Sequence, residues 1–459
     1  MLIKLRQREV TLCAGGLFLA ALIFVPFLSV WKRPDKNHGE YQRSFQGYSV
    51  WPDYRNNPSR SHHWFKKTCF YTEYQQMEIG ILADVLKQWE NAQDSQCREL
   101  FRKFNFVFSV RETPTNVIIP ASFEDKINKW LGNKKDAFKE VTHQVITSVF
   151  NELTSEHTIY NPLRAKRPMT KTSHQDRQYV EDITKESAQN CDFCEGSYKR
   201  FTALDPFGRV ESKHSYSVAN AFKYDRWHSL VLLRNHHPLK WTEEEFLDMA
   251  NTGLSWMKNV NAIQKDYVYP IIFWDLLPHA MASQIHPHIH VNVRPDQYYG
   301  AQELWRRAGE TYFREFGSNY FKELKELHQV LGLTVDLGTA TAFANLNPKH
   351  ETEIIVLSRT PNKDFFRLIY YVLRTYLDDL DQLCFSMAIT LPSLVPDSYM
   401  NADRGRMPAF ARITSRGSAS SVKGDLSSME MYGVSNVNME PWTMIQHVQQ
   451  SVNKRSVGG

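Results

Sequence analysis

The chain is poor in cysteine. Six in 459 residues (Cys13, Cys69, Cys97, Cys191, Cys194 and Cys384) are too few for a disulfide framework at this length. No second C-x-x-C accompanies Cys191-Asp-Phe-Cys194, which excludes a four-cysteine zinc ribbon. Cys69 and Cys97 could bridge in an oxidising compartment, a pairing the sequence leaves open. An excess of one charge is also missing. The 55 basic and 50 acidic side chains leave a formal net charge of +5, and basic residues scattered along the chain offer no groove for nucleic acid. None of the 25 asparagines opens an Asn-x-Ser/Thr sequon, which weighs mildly against a long lumenal domain.

Charge is absent altogether from Val10 to Trp31, 22 residues, the length of one membrane span. Lys4, Arg6 and Arg8 precede it and Lys32, Arg33 and Lys36 follow, so the positive-inside rule gives only a weak preference, for a cytosolic N-terminus. The segment reads as a signal anchor; a cleaved signal peptide is the rival reading, with a poor cleavage site at Phe27–Trp31. The expectation is a single-pass membrane protein of the Golgi or ER, with the side of the remaining chain open. Residues 1–9 form a tail and 32–63 a polar, proline-punctuated stem. Residues 64–155 read as a helical extension. Met77, Ile81, Leu82, Val85, Leu86 and Trp89 recur at helical spacing, short strands flank Pro114, and 123–153 is helical again.

What the chain does have is a row of histidines. In Phe273–Val293, FWDLLPHAMASQIHPHIHVNV, the residues His286, His288, His290 and Asn292 alternate with apolar ones. A period of two predicts a β-strand with three imidazoles on one face, adjacent ones starting about 7 Å apart. Pro287 has no amide hydrogen, so the strand is expected at an edge or broken there. An unprotonated imidazole is a nucleophile near neutral pH, and attack on phosphorus would give a covalent nucleotidyl-histidine. Alternating histidines suit a metal site as well, or a surface strand with no chemistry.

The flanks of HPHIH resemble the active-site segment of the galactose-1-phosphate uridylyltransferase branch of the histidine-triad superfamily, F-x-N-x-G followed by G-x-S-x-x-H-P-H-x-Q. Phe273, Ser283, His286, Pro287 and His288 match at the same spacing. Asp275 stands for the usual Asn, Met281 and Ala282 where small residues or Gly are usual, and His290 for the transferase Gln, as in histidine-triad nucleotide hydrolases. Asn161-Pro-Leu-Arg-Ala-Lys-Arg-Pro168 resembles two opening elements of that branch fused together.

The resemblance implies an α+β fold of two tandem histidine-triad units, antiparallel sheets with helices, over 156–300 and a degenerate 301–459. It implies His288 as nucleophile, Ser283 and Gln284 with Asp275 around the phosphate, and His290 holding the nucleotidyl group or moving a proton. It also implies a nucleotide pocket at Asn220 and Phe222, and a structural zinc on Cys191, Cys194, His236 and His286, with His237 the adjacent alternative. Arg412 and Arg416, two arginines on one strand, could grip a second phosphate, though an exposed basic strand accounts for them equally. The expected function is nucleotidyl transfer or hydrolysis at the α-phosphorus of a nucleotide or nucleotide-sugar. The alternatives are an inactive binding or scaffold module, and a zinc hydrolase that uses HPHIH directly and leaves the C-x-x-C unexplained. Expected partners are the nucleotide substrate and a membrane reached through the N-terminal helix, with no nucleic acid and homodimerisation left open.

Overall fold

The computed structural model describes residues 60–70, 76–132, 137–166, 176–223, 225–394, 406–421 and 427–456. The 10–31 segment lies outside them, as do most of the stem and the loop at 423–425. Among the described residues no helix is long and apolar enough to cross a membrane, and the expectation of a single-pass membrane protein is corrected on that finding. The 21-residue helix Glu243–Ile263 has the length of a span but opens on three glutamates, and it uses its apolar face to cover a sheet.

Near the start of the described residues lie helices α1 (Leu82–Glu90) and α2 (Ser95–Val107), whose buried faces are Leu82, Val85 and Trp89 on one and Leu100, Phe104 and Val107 on the other. A Cys69–Cys97 disulfide holds the preceding helix, His62–Thr68, to the start of α2. Of the helix expected over 123–153, the stretches Ala121–Trp130 and Ala137–Thr142 are helical and 143–151 is a strand. Strand β1 (Phe108–Asn116) runs straight through Pro114 and pairs along its whole length with β2 (His143–Asn151), and β3 (His157–Tyr160) adds to β2. The β-branched run Val145-Ile146-Thr147, with Val149, fits a pleated, half-buried surface better than a helix. Pro114 is tolerated because β1 is an edge.

Next come β4 (Ser215–Ala219), β5 (His228–Leu233), helix α3 (Glu243–Ile263), β6 (Tyr269–Leu276) and β7 (His288–Arg294). Thr242 and Glu245, three residues apart, form a capping box on α3. Two helices follow, α4 (Gly300–Phe316) and α5 (Tyr320–Val330). Gly317, at φ 64°, ends the first, and the Asn319 side chain caps the second. Then follow β8 (Thr334–Leu337), β9 (Ala340–Ala344), β10 (Ile354–Ser358), helix α6 (Lys363–Arg374), β11 (Cys384–Thr390) and β12 (Ala409–Gly417). Strand β13 (Val434–Val437) joins the small sheet parallel to β3.

The large sheet has nine strands in the order β4-β5-β7-β6-β11-β12-β10-β9-β8, every pair antiparallel. The fold is therefore α+β. On either side of the β6–β11 seam the chain repeats strand–strand–helix–strand–strand. Helix α3 packs on one face so closely that a Cβ on Gly253 would meet Val291 at 3.3 Å and Ile289 at 3.6 Å. With Ile289, Val291 and Val293 turned to that helix, the pleat turns His288, His290 and Asn292 to the other face. There a register row joins His290, Phe273, Ala388 and Arg412 across the seam, roughly 14 Å for three strand spacings.

Candidate functional site

The histidine strand is central, paired with β5 on one side and β6 on the other, which corrects the expected edge. Pro287 falls one residue before β7, where its missing N–H costs no ladder bond, and its carbonyl accepts from the Leu233 N–H at 3.1 Å. The histidines divide at that proline. His286 turns towards Cys191, Cys194 and His236, while His288 and His290 face a cavity.

The cluster of Cys191, Cys194, His236 and His286 is arranged to hold a metal ion, with one ligand atom from each within 4.8 Å of all the others. His236 Nδ1 and His286 Nδ1 are 3.2 Å apart. Cys194 Sγ is 3.3 Å from the first and 3.9 Å from the second, and Cys191 Sγ is 3.5 Å from the second. A tetrahedral ion with Zn–N about 2.0 Å and Zn–S about 2.3 Å asks for N···N of about 3.3 Å and N···S of about 3.5 Å. The far sides of both rings are also occupied. Nε2–H of His286 donates to the Leu233 carbonyl at 2.6 Å. The Ser187 hydroxyl donates to the Thr184 carbonyl and sits 3.1 Å from Nε2 of His236, leaving that nitrogen as donor. Each ring thus directs an unprotonated Nδ1 at the cluster. Burial and the neighbouring Cys191 push the Cys194 thiol up to about 12, because two thiolates side by side need a cation between them. His237, the adjacent alternative, is engaged elsewhere, with Glu181 and with the Leu239 N–H.

His288 is buried, and its Nδ1–H donates to the His286 carbonyl at 2.8 Å. That bond fixes the tautomer and leaves Nε2 as the lone-pair nitrogen. Burial pulls its pKa below the ordinary histidine range, against the backbone bond. Its ring centre is 5.1 Å from that of His290. Among the described residues neither joins a group of three metal-ligating side chains.

Both histidines line a cavity of about 710 Å³ that straddles the seam, within the usual size of a cofactor or nucleotide site. Phe273, Asp275 and Ser283 come to it from the first half, and Glu353, Arg412 and Arg416 from the second. Burial raises the Asp275 carboxyl above its ordinary range, opposed by a hydrogen bond from Ser386 and the charge of Arg416. The loop that carries Ser283 is strained. Leu277 (φ 74°, ψ 159°) and Met281 (φ 70°) both hold backbone conformations that favour glycine.

Other expected residues lie elsewhere. Gln284 is exposed and does not line the cavity, and Phe222 is 90% exposed. Asn220 sits behind the histidines, its Oδ1 accepting from the Phe222 N–H at 2.8 Å and its Nδ2 3.2 Å from Nε2 of His228. Arg412 does reach the cavity but is already paired with Glu353 at 2.7 Å and with Glu156, under Trp305. Arg416 lines the wall near Asp275 and Glu430. Sequence reasoning missed His228, whose Nε2 is 3.0 Å from Nδ1 of His290. Its one signal was a polar residue opening the apolar run Ser229–Leu233.

The sequence matches no protein-family model and no curated protein. Among solved structures, the chain is similar to an ADP-glucose phosphorylase from Arabidopsis thaliana with bound ADP-glucose, at 17% identity and a TM-score of 0.50 over 65% of this chain and 96% of that one. It also aligns with a galt-like protein from Arabidopsis thaliana (16% identity, TM-score 0.46, 57% of this chain and 91% of that one). A uridylyltransferase aligns too (12% identity, TM-score 0.45, 67% and 98%). At these identities the similarity is one of fold.

Proposed function

We propose that this chain transfers or hydrolyses a nucleotidyl group at the α-phosphorus of a nucleotide or nucleotide-sugar, through a covalent bond to His288. The observation that carries this reading is the His288 ring. It is buried in the wall of a nucleotide-sized cavity, with Nδ1 tied to the His286 carbonyl and Nε2 the nucleophilic atom. The fold shared with a phosphorylase of a nucleotide-sugar is consistent with it, as is the repeated layout about the seam, which we take as two tandem histidine-triad units, the second without the histidine row. In the first step Nε2 of His288 bonds to phosphorus and the leaving oxygen departs. In the second, an acceptor or water takes the nucleotidyl group. Ser283 and nearby backbone amides face the phosphate oxygens, where charge develops.

Zinc is the ion we assign to the Cys191, Cys194, His236 and His286 cluster. Four protein ligands close its sphere, so it supplies structure and leaves no position for an activated water. Through His286 it fixes the chain two residues before the nucleophile.

Intact-mass measurement after incubation with nucleotide-sugars, dinucleoside polyphosphates and nucleoside phosphoramidates tests the proposal. A nucleotidyl adduct lost in His288→Gly supports it, and turnover by His288→Gly removes covalent catalysis. A second reading, a binding module without turnover, is favoured by Leu277 and Met281 at glycine-favouring positions in the Ser283 loop. Tight nucleotide binding with neither adduct nor turnover would select it.

A further inference from the structure

The start of α4 forms part of the cavity wall. There Tyr299, Gln302 and Trp305 follow one another at steps of three, a single stripe along the helix. The outer two pack on the sheet across the seam. Tyr299 meets Phe273 of β6 with ring centres 5.9 Å apart, and Trp305 meets Phe410 of β12 at 5.1 Å. Strand β11 runs between those contacts, pairing Ala388 with Phe273 and Thr390 with Phe410. Six helical residues rise about 9 Å and two strand spacings measure roughly 9–10 Å. The stripe therefore crosses β11 at its midpoint, which sets Gln302 over Ala388 and Thr390. All seven residues line the cavity. The polar tips of the outer two are engaged: the Tyr299 hydroxyl donates to Asp225 at 2.9 Å, and the Trp305 indole N–H to Glu156 at 3.5 Å. Gln302 differs. Both ends of its amide are buried, and neither Nε2 nor Oε1 has a hydrogen-bond partner among the described residues.

An amide presents a donor and an acceptor side by side. Burying it unpaired costs stability, which a partner in the cavity returns. Phosphate is the wrong partner, because its anionic oxygens accept and do not donate, so Oε1 would stay unpaired. Position excludes the reacting phosphoryl group as well. Strand β11 lies two places from the histidine strand, about 10 Å, so a substrate with its phosphorus at His288 meets Gln302 with another part of its body. The aromatic pairs on either side of Gln302 suit the face of a ring. We infer that Gln302 is a specificity-determining residue, whose amide pairs through both ends with a ring that the substrate carries into the second half of the cavity. That ring offers a donor and an acceptor on neighbouring atoms, as the vicinal hydroxyls of a sugar and the edge of a nucleobase both do. This rests on the reading of His288 as nucleophile, which sets the phosphorus at the other end of the cavity.

Isothermal titration of the full chain with glucose 1-phosphate, with AMP, GMP, UMP and CMP, and with inorganic phosphate tests this. Gln302→Leu nearly keeps the side-chain size and removes both polar ends. It should weaken binding of the ring-bearing probe about 10- to 100-fold, the worth of a two-point pairing, and leave inorganic phosphate unaffected. A loss confined to glucose 1-phosphate makes the ring a sugar, and one confined to mononucleotides makes it a base. The unliganded Gln302→Leu protein should melt above the wild type, because an unpaired buried amide is gone. In Gln302→Glu, affinity relative to wild type should recover as pH falls from about 8 to about 5, since a protonated carboxyl again offers one donor and one acceptor. Equal affinities of wild type and Gln302→Leu for every probe overturn the inference. So does an equal loss for inorganic phosphate, or an unliganded variant that melts below the wild type. In those cases a nucleotidyl adduct on His288 keeps the proposed function standing. A wild type that binds none of the probes overturns the inference, and one that also forms no adduct sinks the proposed function with it.

Discussion

Ser187→Ala asks most gently whether the Cys191–Cys194–His236–His286 cluster binds zinc. The change leaves all four ligands in place and removes only the hydroxyl 3.1 Å from Nε2 of His236. Loss of such an outer partner typically weakens a metal site about 10- to 100-fold. A ligand that binds only the folded chain stabilises it by RT ln(1 + [L]/Kd). With free zinc buffered at about 100 times the wild-type Kd, the wild type gains ~2.7 kcal/mol and the variant ~0.4–1.4 kcal/mol. That difference corresponds to a melting shift of a few degrees. Zinc-buffered thermal scans, with metal content measured on the same samples, read it out. Under strong chelation the two proteins should melt together, since the difference lies in the ion. A wild type that purifies without metal and melts at the same temperature with and without zinc refutes the assignment. A Ser187→Ala deficit that persists under chelation would assign the hydroxyl to packing instead.

His290→Gln should lengthen the life of the nucleotidyl enzyme, measured by intact mass after substrate removal, because glutamine cannot take up a proton as imidazole does. Met281→Gly should be neutral to stabilising by about 1 kcal/mol: the side chain is 71% exposed, so relief of ~1–2 kcal/mol of left-handed strain outweighs the ~0.5–1 kcal/mol entropic cost of glycine. Leu277→Gly should instead destabilise in the same urea titration, because removing a fully buried leucine costs about 2–5 kcal/mol, more than the strain returns. Arg412→Ala should cost about 3–5 kcal/mol by leaving Glu156 and Glu353 buried without their cation; no loss in urea midpoint would mean the three groups are not a structural unit. Asp275→Asn should stabilise at neutral pH. Burial raises the folded pKa above the unfolded one, so the wild type loses stability as pH climbs through that raised value, and the two proteins should converge below about pH 4.

The parts of the site that were legible in the sequence are those whose chemistry sits in short, regular spacing. Alternation put His288 and His290 on one face, with His286 turned away before the strand begins, and C-x-x-C with distant histidines suggested four side chains that do meet in space. The capping box of α3 was legible for the same reason, a local contact with a local signature. What stayed hidden depends on register. Nothing within 143–151 announces that its partner is 108–116 across a 26-residue connection, so the pattern there was assigned to a helix. Glu156 and Glu353 neutralise Arg412 from two distant segments, and an arginine seen without them looks like a phosphate grip. His228 meets His290 only because β5 and β7 are neighbours.

That dependence on register also explains why the half without the histidine row is part of the site. A lone antiparallel unit would leave β6 as an edge, with His288 and His290 near the rim of an open sheet. Pairing β6 with β11 carries the same surface across the seam to β12, which contributes Arg412 and Arg416. The cavity therefore has unlike walls: His288 and His290 on one side and, on the other, an arginine held between two carboxylates, with His350 and Arg416 beside it. Because Glu156 reaches Arg412 from the segment just before β3, and β13 returns from beyond β12 to pair with β3, the small sheet is tied to that ionic wall as well. The second half lacks the histidine row but keeps the seam, the carboxylates and the volume. Substitutions at Glu353 or Arg412 should therefore act on binding and stability, while those at His288 and His290 act on the chemical steps.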